Sequence, residues 1–140
     1  MHDQELADVT SHVLEELCFY CVDLESAAAE PPRRTWASVT FSGNWSGRMF
    51  VGIEPRLLHE LATNFLGLDE SSNEEAEQAL LEITNVICGN ALPHLESAEA
   101  VFNLGSPEVI EAPAEASTPA AVAAAVLDAG RVAVRVMREP

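Results

Sequence analysis

The chain has 140 residues, with seven basic against 23 acidic side chains and a formal net charge of −16. This length predicts a single domain, 1–140, with enough chain to bury one sizeable core. All of the basic residues are arginines and they are scattered, so the composition disfavours binding to nucleic acid or to an anionic membrane. Without a basic N-terminal signal region or an apolar run long enough to span a bilayer, we expect a cytoplasmic protein.

Cysteine and histidine spacing does not favour a metal or redox site. Cys18 and Cys21 form a C-x-x-C, but it lies inside a helical pattern with no strand before it. Small buried apolar residues are therefore the preferred interpretation, and a redox or metal role is the alternative. The four histidines are far apart in the sequence and lack the spacing of metal ligands. We expect no metal and no cofactor bound by this chain.

The first half of the chain predicts a helix, a hairpin and a second helix. Apolar residues at spacings of three and four predict an amphipathic helix over 3–22. Residues 35–41 alternate between apolar and polar, and 48–53 follow across a turn-rich segment, so the two predict an antiparallel hairpin. Pro55 begins a second helix that we expect to end near Gly67.

A third helix follows a capping-type cluster, Ser71-Ser72-Asn73, with glutamates in its first turn. The pattern predicts that it runs to about Ala91 and ends before Pro93. Two short strands are predicted beyond it, over 100–104 and 108–110.

The C-terminal region contains a conflict between two patterns. Residues 112–118 form a loop of Pro, Ala and Ser, and 119–127 have a strong helix propensity. Residues 131–137 alternate as a strand does, so we favour a hairpin over a helix for 119–127. The predicted fold is α+β, in the order α-β-β-α-α-β-β-β-β, with about three helices packed on a largely antiparallel sheet.

The third helix has two faces. On a helical wheel the apolar side consists of Ala76, Leu80, Ile83, Ile87 and Ala91. The opposite side, which we expect to face solvent, consists of Gln78, Glu82, Asn85 and Gly89.

A solvated helix face is the ordinary interpretation of such residues. Asn85 and Gly89, however, are poor helix formers in the middle of an otherwise apolar run. An exposed Gly one turn beyond an exposed carboxamide allows another backbone to approach the helix. The pattern therefore favours a docking surface over a substrate pocket.

Residues 82–92, E-I-T-N-V-I-C-G-N-A-L, resemble the E-x-x-N helix of the CheC/CheX/FliY family of chemotaxis phosphatases. In that family an Asp or Ser stands four positions before the Glu, and a Pro follows the Asn after twenty-one residues. Here Glu82 and Asn85 fit, and Pro107 stands twenty-two positions after Asn85. Residues 41–51 are similar to the family's F-x-G-x-x-x-G hairpin, so the resemblance covers most of the chain.

The resemblance implies a CheC-like two-layer α/β fold with one site. Gln78 occupies the position of the Asp or Ser, which is a departure from the pattern. Glu15 and Glu16 are followed three positions later by Cys18 and Phe19, so no second E-x-x-N is present. A single site is typical of CheX, whose relatives are often homodimers, and a homodimer is therefore a further expectation.

The activity that the resemblance implies is hydrolysis of the aspartyl phosphate of a response regulator such as CheY. That partner supplies the phosphorylated Asp, a divalent metal such as Mg²⁺ and a Lys, so the phosphatase contributes positioning and electrostatics. Asn85 is the candidate that orients the attacking water, and Glu82 pairs with a cation on the partner. Gln78 and Gly89 are the candidates for further partner contacts.

The alternative is a non-catalytic interaction module that binds a receiver domain, because the same fold serves as a scaffold in flagellar switch proteins. The departure at Gln78 fits that alternative. Retention of both Glu82 and Asn85 favours the phosphatase.

Overall fold

The fold is that of a computed structural model, which describes residues 3–18, 23–24, 35–43, 45–95, 102–111, 113, 121–127 and 130–138. Three helices pack on one face of an antiparallel sheet: α1 (Asp3–Cys18), α2 (Pro55–Leu66) and α3 (Asn73–Leu95). The strands are β1 (Asp23–Leu24), β2 (Thr35–Ser42), β3 (Gly47–Ile53), β4 (Asn103–Leu104), β5 (Glu108–Ile110), β6 (Ala121–Leu127) and β7 (Gly130–Arg138). The strand order is β1-β6-β7-β3-β2-β4, and β5 also pairs with β2.

Two hairpins form the centre of the sheet, and both were predicted. In the first, β2 runs antiparallel to β3 with Thr35 opposite Ile53. In the second, β6 runs antiparallel to β7 with Ala121 opposite Val136, so 121–127 is a strand and the helix alternative is wrong. Pairing between β3 and β7 joins the hairpins into one sheet.

The hydrophobic core lies between the sheet and the helices. Alternate residues of the central strands point into it, as a period of two requires, and α1 contributes Leu6 and Val13. α2 contributes a run of leucines, and the predicted apolar stripe of α3 is completely buried. This anchoring fixes which side of α3 is left for other contacts.

Both helices next to the site have well-formed ends. The N-terminus of α3 is a capping box, in which Glu75 donates its backbone N–H to Ser72 Oγ over 3.1 Å and Glu75 Oε1 accepts from the Ser72 N–H over 3.0 Å. α2 ends at Gly67, which has φ 68° and ψ 36°. The next N–H, of Leu68, reaches the Thr63 carbonyl over 2.9 Å, as in a Schellman motif.

The structure corrects two sequence predictions, the end of α3 and the number of strands. α3 does not end before Pro93 but continues to Leu95. Pro93 lies in the last turn of the helix, where it removes one backbone hydrogen bond, at a cost of about 3 kcal/mol. The predicted order also lacks β1, a two-residue strand paired with β6, so the observed order is α-β-β-β-α-α-β-β-β-β.

Some predictions fall outside the part of the chain that the structure describes. They are the last turn of the predicted first helix, which includes Cys21, the start of the predicted strand at 100–104, and nearly all of the loop at 112–118. Within the described ranges, no helix combines the length and the apolar character that crossing a membrane requires.

Candidate functional site

The polar face of α3 lies opposite its buried stripe, as predicted. Gln78, Glu82 and Gly89 are exposed. Asn85 lies on the same face but is half-buried, so the prediction of a fully solvent-facing carboxamide is only partly correct. We refer to these four residues as the polar stripe.

A groove opens beside the first half of the polar stripe. It has a volume of about 480 Å³ and lies between α2, α3 and the loop that joins β4 to β5. Its lining is Phe65, Leu66, Gln78, Leu81, Glu82 and Pro107. The structure therefore brings together three of the residues that the sequence singled out, Gln78, Glu82 and Pro107, and surrounds them with apolar side chains. We refer to this feature as the α2–α3 groove.

The β4–β5 loop and the strand residue before it border the polar stripe at two points. Its Gly105 donates its backbone N–H to the Thr40 carbonyl over 2.8 Å, which ties the loop to β2. At one end of this segment the Leu104 side chain approaches Gly89, where an added Cβ would lie 3.8 Å from Leu104 Cδ1. At the other end Pro107 reaches the groove beside Glu82. Along the helix, Asn85 lies between those two points.

The side chain of Asn85 is in an unusual state. Its Oδ1 is buried, and no described residue of the chain forms a hydrogen bond with it. An amide oxygen removed from water without a partner costs about 1–3 kcal/mol. By contrast, Asn90 on the same helix is exposed, and its Nδ2 donates to the Val86 carbonyl over 2.8 Å. A buried polar atom left unpaired in this way calls for an explanation beyond the stability of the fold.

The charge on α3 is negative. Glu74, Glu75, Glu77 and Glu82 all lie on this helix, and Glu82 is the one that lines the groove. Within the described ranges, no three His, Cys, Asp or Glu side chains are grouped so that they could hold a metal ion. The chemistry that the site offers is therefore a carboxylate and a carboxamide one turn apart.

Cys88 lies on the buried side of α3 and takes no part in the site. It is free and completely buried. Burial raises the pKa of its thiol from 9.0 to about 12, because the thiolate cannot be solvated there. This cysteine is an apolar core residue, whereas the two cysteines for which the sequence predicted burial, Cys18 and Cys21, have side chains outside the described part of the structure.

Sequence reasoning missed the apolar residues around the stripe. Phe65 and Leu66 come from the last turn of α2, and Leu104 comes from β4. Their nearness to Glu82 and Gly89 depends on how α2 and the sheet edge pack against α3. The only hint in the sequence was that Phe65 and Leu66 stand in the last turn of a Leu-rich helix, just before Gly67.

Comparison with solved structures identifies the fold. The chain superimposes on the chemotaxis protein CheX of Desulfovibrio desulfuricans with a TM-score of 0.77 at 19% identity, covering 97% of each chain. CheX of Vibrio vulnificus gives 0.77 at 18%, covering 97% of this chain and 95% of that one. The CheX chain in a complex with CheY, BeF₃ and Mg²⁺ from Borrelia burgdorferi gives 0.75 at 15%, with 98% and 97% covered. At these identities the likeness establishes the CheX-like fold, and it confirms the predicted α+β class.

Sequence comparison identifies the family. No curated protein matches the chain. The model of the family described as chemotaxis phosphatase CheX matches residues 35–129, which is 95 of the 140 residues and includes the polar stripe and Pro107. The sequence resemblance is thereby confirmed, and the chain belongs to the chemotaxis phosphatase CheX family.

Proposed function

We propose that this protein hydrolyses the aspartyl phosphate of a CheY-like receiver domain. The observation that carries the proposal is the buried Oδ1 of Asn85, which has no partner among the described residues and lies on the same helix face as the exposed carboxylate of Glu82. A structural relative is bound to CheY with BeF₃ and Mg²⁺, which supports a receiver as partner. The receiver contributes the phosphorylated Asp, its Mg²⁺ and a Lys.

Asn85 orients the water that attacks the phosphorus atom. Phosphoryl transfer has a loose transition state, so catalysis depends on positioning and electrostatics more than on covalent chemistry. A carboxamide both accepts from and donates to water, and it does not titrate near neutral pH. In the docked state, the attacking water donates the hydrogen bond that Asn85 Oδ1 lacks among the described residues of the free protein.

Glu82 sets the register of docking. Its carboxylate is exposed one helical turn before Asn85, where it pairs with a cation of the receiver. A charge pair at a partly exposed interface is worth about 1–3 kcal/mol, so it fixes orientation more than affinity. Gln78 adds a neutral contact one turn earlier, and exposed Gly89 leaves room for the receiver backbone at the other end of the stripe.

Phosphate release from a phosphorylated receiver tests the role of Asn85. We expect Asn85→Ala to lower the rate at least about a hundredfold, as removal of one transition-state contact does, with binding to the activated receiver largely retained. Asn90→Ala is the matched control, because it removes the same side chain from the exposed surface of the same helix. Unchanged release by the Asn85→Ala protein would show that the catalytic assignment is wrong.

The role of Glu82 has its own test. We expect Glu82→Ala to lower kcat/KM about tenfold to a hundredfold and to weaken binding, because both depend on the lost charge pair. Glu77→Ala is the control, since Glu77 is also exposed on α3 but points away from the polar stripe. Equal effects of the two substitutions would indicate a general charge effect and not a specific contact.

A non-catalytic receiver-binding module is the second candidate. The observation that favours it is Gln78, where the family pattern has an Asp or Ser. The same assay separates the two candidates: a chain that binds the activated receiver and does not speed up phosphate release is a binding module. If Gln78→Asp then creates phosphatase activity in such a chain, the missing acidic residue at position 78 is the cause of its inactivity.

A further inference from the structure

Large apolar side chains are exposed at both ends of the polar stripe. Among the residues that the structure describes, three large hydrophobic side chains are exposed: Leu66 at 38%, Leu104 at 37% and Val109 at 38%. Leu66 lines the α2–α3 groove beside Gln78 and Glu82. Leu104 approaches Gly89 at the other end. Two of the three thus flank the stripe, on different elements of the fold.

The length of the polar stripe is sufficient for a protein interface. From Gln78 to Gly89 the stripe covers three helical turns, roughly 16 Å. The groove adds partly buried Phe65 and Leu81 and half-buried Pro107 to the apolar surface at the Leu66 end. Apolar side chains that enclose a polar centre exclude water from it when a partner docks, and this strengthens the charge pair and the hydrogen bonds formed at that centre.

The charge on this face determines which partner fits it. Glu82 lies in the groove among apolar side chains, and the described acidic residues of α3 add negative charge along the same helix. A partner must therefore bring a cation to Glu82 and apolar side chains around that cation. A second copy of this strongly acidic chain would instead bring further negative charge.

We infer that Leu66 and Leu104 are two apolar anchors that dock the receiver, one at each end of the stripe that carries Glu82 and Asn85. This inference rests on the proposed function and adds the chemistry of the receiver surface to it. That surface carries apolar side chains on both sides of the cation that pairs with Glu82. The anchors hold the receiver against the helix, and the charge pair sets its register.

The test measures binding and turnover separately. Turnover of a phosphorylated receiver is measured with the parent chain and with Leu66→Ala, Leu104→Ala and the double substitution. Each single substitution is expected to raise KM about tenfold and the double substitution about a hundredfold, with kcat at saturating receiver unchanged. Val109→Ala is the control, because Val109 is equally exposed but neither lines the groove nor approaches Gly89.

Salt dependence separates the anchors from the charge pair. Affinity is measured over a range of NaCl concentrations for the receiver activated by beryllofluoride and Mg²⁺, which carries no phosphoryl group to hydrolyse. The leucine substitutions are expected to weaken binding by the same factor at every salt concentration, since burial of apolar surface is not screened. Glu82→Gln is expected to flatten the salt dependence instead.

Three results would overturn the inference. Leucine variants that bind and turn over like the Val109→Ala control show that the anchors do not exist, while the phosphatase activity of the parent chain still stands. Leucine substitutions that change sedimentation of the chain alone, with receiver affinity unchanged, assign the surface to a second copy. A parent chain that neither binds nor dephosphorylates an activated receiver removes the proposed function and the anchors together.

Discussion

Gly105 lies so close to Thr40 that no side chain fits between them. The N–H of Gly105 donates to the Thr40 carbonyl over 2.8 Å, and an added Cβ would collide with Thr40 Oγ1. The next atoms of Thr40, its carbonyl oxygen and Cβ, would lie at 3.5 and 3.6 Å, which is ordinary contact. The Thr40 hydroxyl therefore restricts position 105 of the β4–β5 loop to glycine.

Because of this contact, we expect the effect of a larger residue at position 105 to be reversed by a smaller residue at position 40. Gly105→Ala should displace the β4–β5 loop, because the χ1 angle of Thr is restricted in a strand and the Thr40 hydroxyl does not turn away freely. This loop places Pro107 beside Glu82 in the α2–α3 groove, so the displacement should lower phosphatase activity. Thr40→Ala removes that hydroxyl, so the double variant should recover most of the activity. Thr40→Ala alone serves as the control. Lack of recovery in the double variant would show that the two residues do not act through this contact.

Asn85 should weaken the fold that it serves. Asn85→Ala removes an unsatisfied amide oxygen and introduces a better helix former, so we expect unfolding to require about 1–3 kcal/mol more while phosphatase activity is lost. Urea unfolding measures the change. Asn90→Ala gains the same helix propensity without that amide term, so it should stabilise the protein by less than 1 kcal/mol. A loss of stability in the Asn85→Ala protein would contradict the assignment of an unpartnered oxygen.

Substitution of Gly67 should change the stability of the fold through backbone conformation and not through packing. Its φ of 68° lies in the left-handed region, and no atom lies within 4 Å of an added Cβ. Gly67→Ala should therefore lower the free energy of unfolding by about 1 kcal/mol through backbone strain alone. Gly67→Asn should cost less, because Asn tolerates this conformation. Equal urea midpoints for Ala and Asn would contradict the backbone explanation.

Cys88 predicts a loss of stability at high pH. Its pKa is about 12 in the folded protein and 9.0 for an ordinary cysteine, so the unfolded chain loses its thiol proton first as pH rises. The contribution of this thiol is constant below pH 9 and becomes destabilising between pH 9 and 12. Urea unfolding at pH 8 and pH 10 should show a larger decrease for the parent than for Cys88→Ala, which has no thiol at this position. Parallel decreases would show that the thiol is solvated.

The faces of α3 could be predicted because they depend on local periodicity alone. Burial of Ile83 and Ile87 and exposure of Glu82 follow from the helical repeat of 3.6 residues. The half-buried state of Asn85 could not be predicted in this way. It depends on how other elements of the fold pack beside α3, which local periodicity does not report.

The strands illustrate the same division. The alternation in β7 predicted its partner in the C-terminal hairpin, even though 121–127 are rich in alanine and favour a helix locally. Hydrogen bonds to β7 along the whole strand outweigh that local preference. β1 has only two residues, Asp23 and Leu24, and its partner strand lies about one hundred residues away. Such a short element has no periodicity to detect.

The two short strands beside β2 have a consequence for solubility. β4 and β5 pair with the same side of β2, at Phe41–Ser42 and at Trp36–Ser38, and the Thr40 carbonyl between them is taken by Gly105. The edge of the sheet on this side therefore consists of strands of two and three residues separated by a segment that contains Gly105, and another chain could pair with only a few residues there. Such a broken margin resists the edge-to-edge stacking through which long, flat strands aggregate.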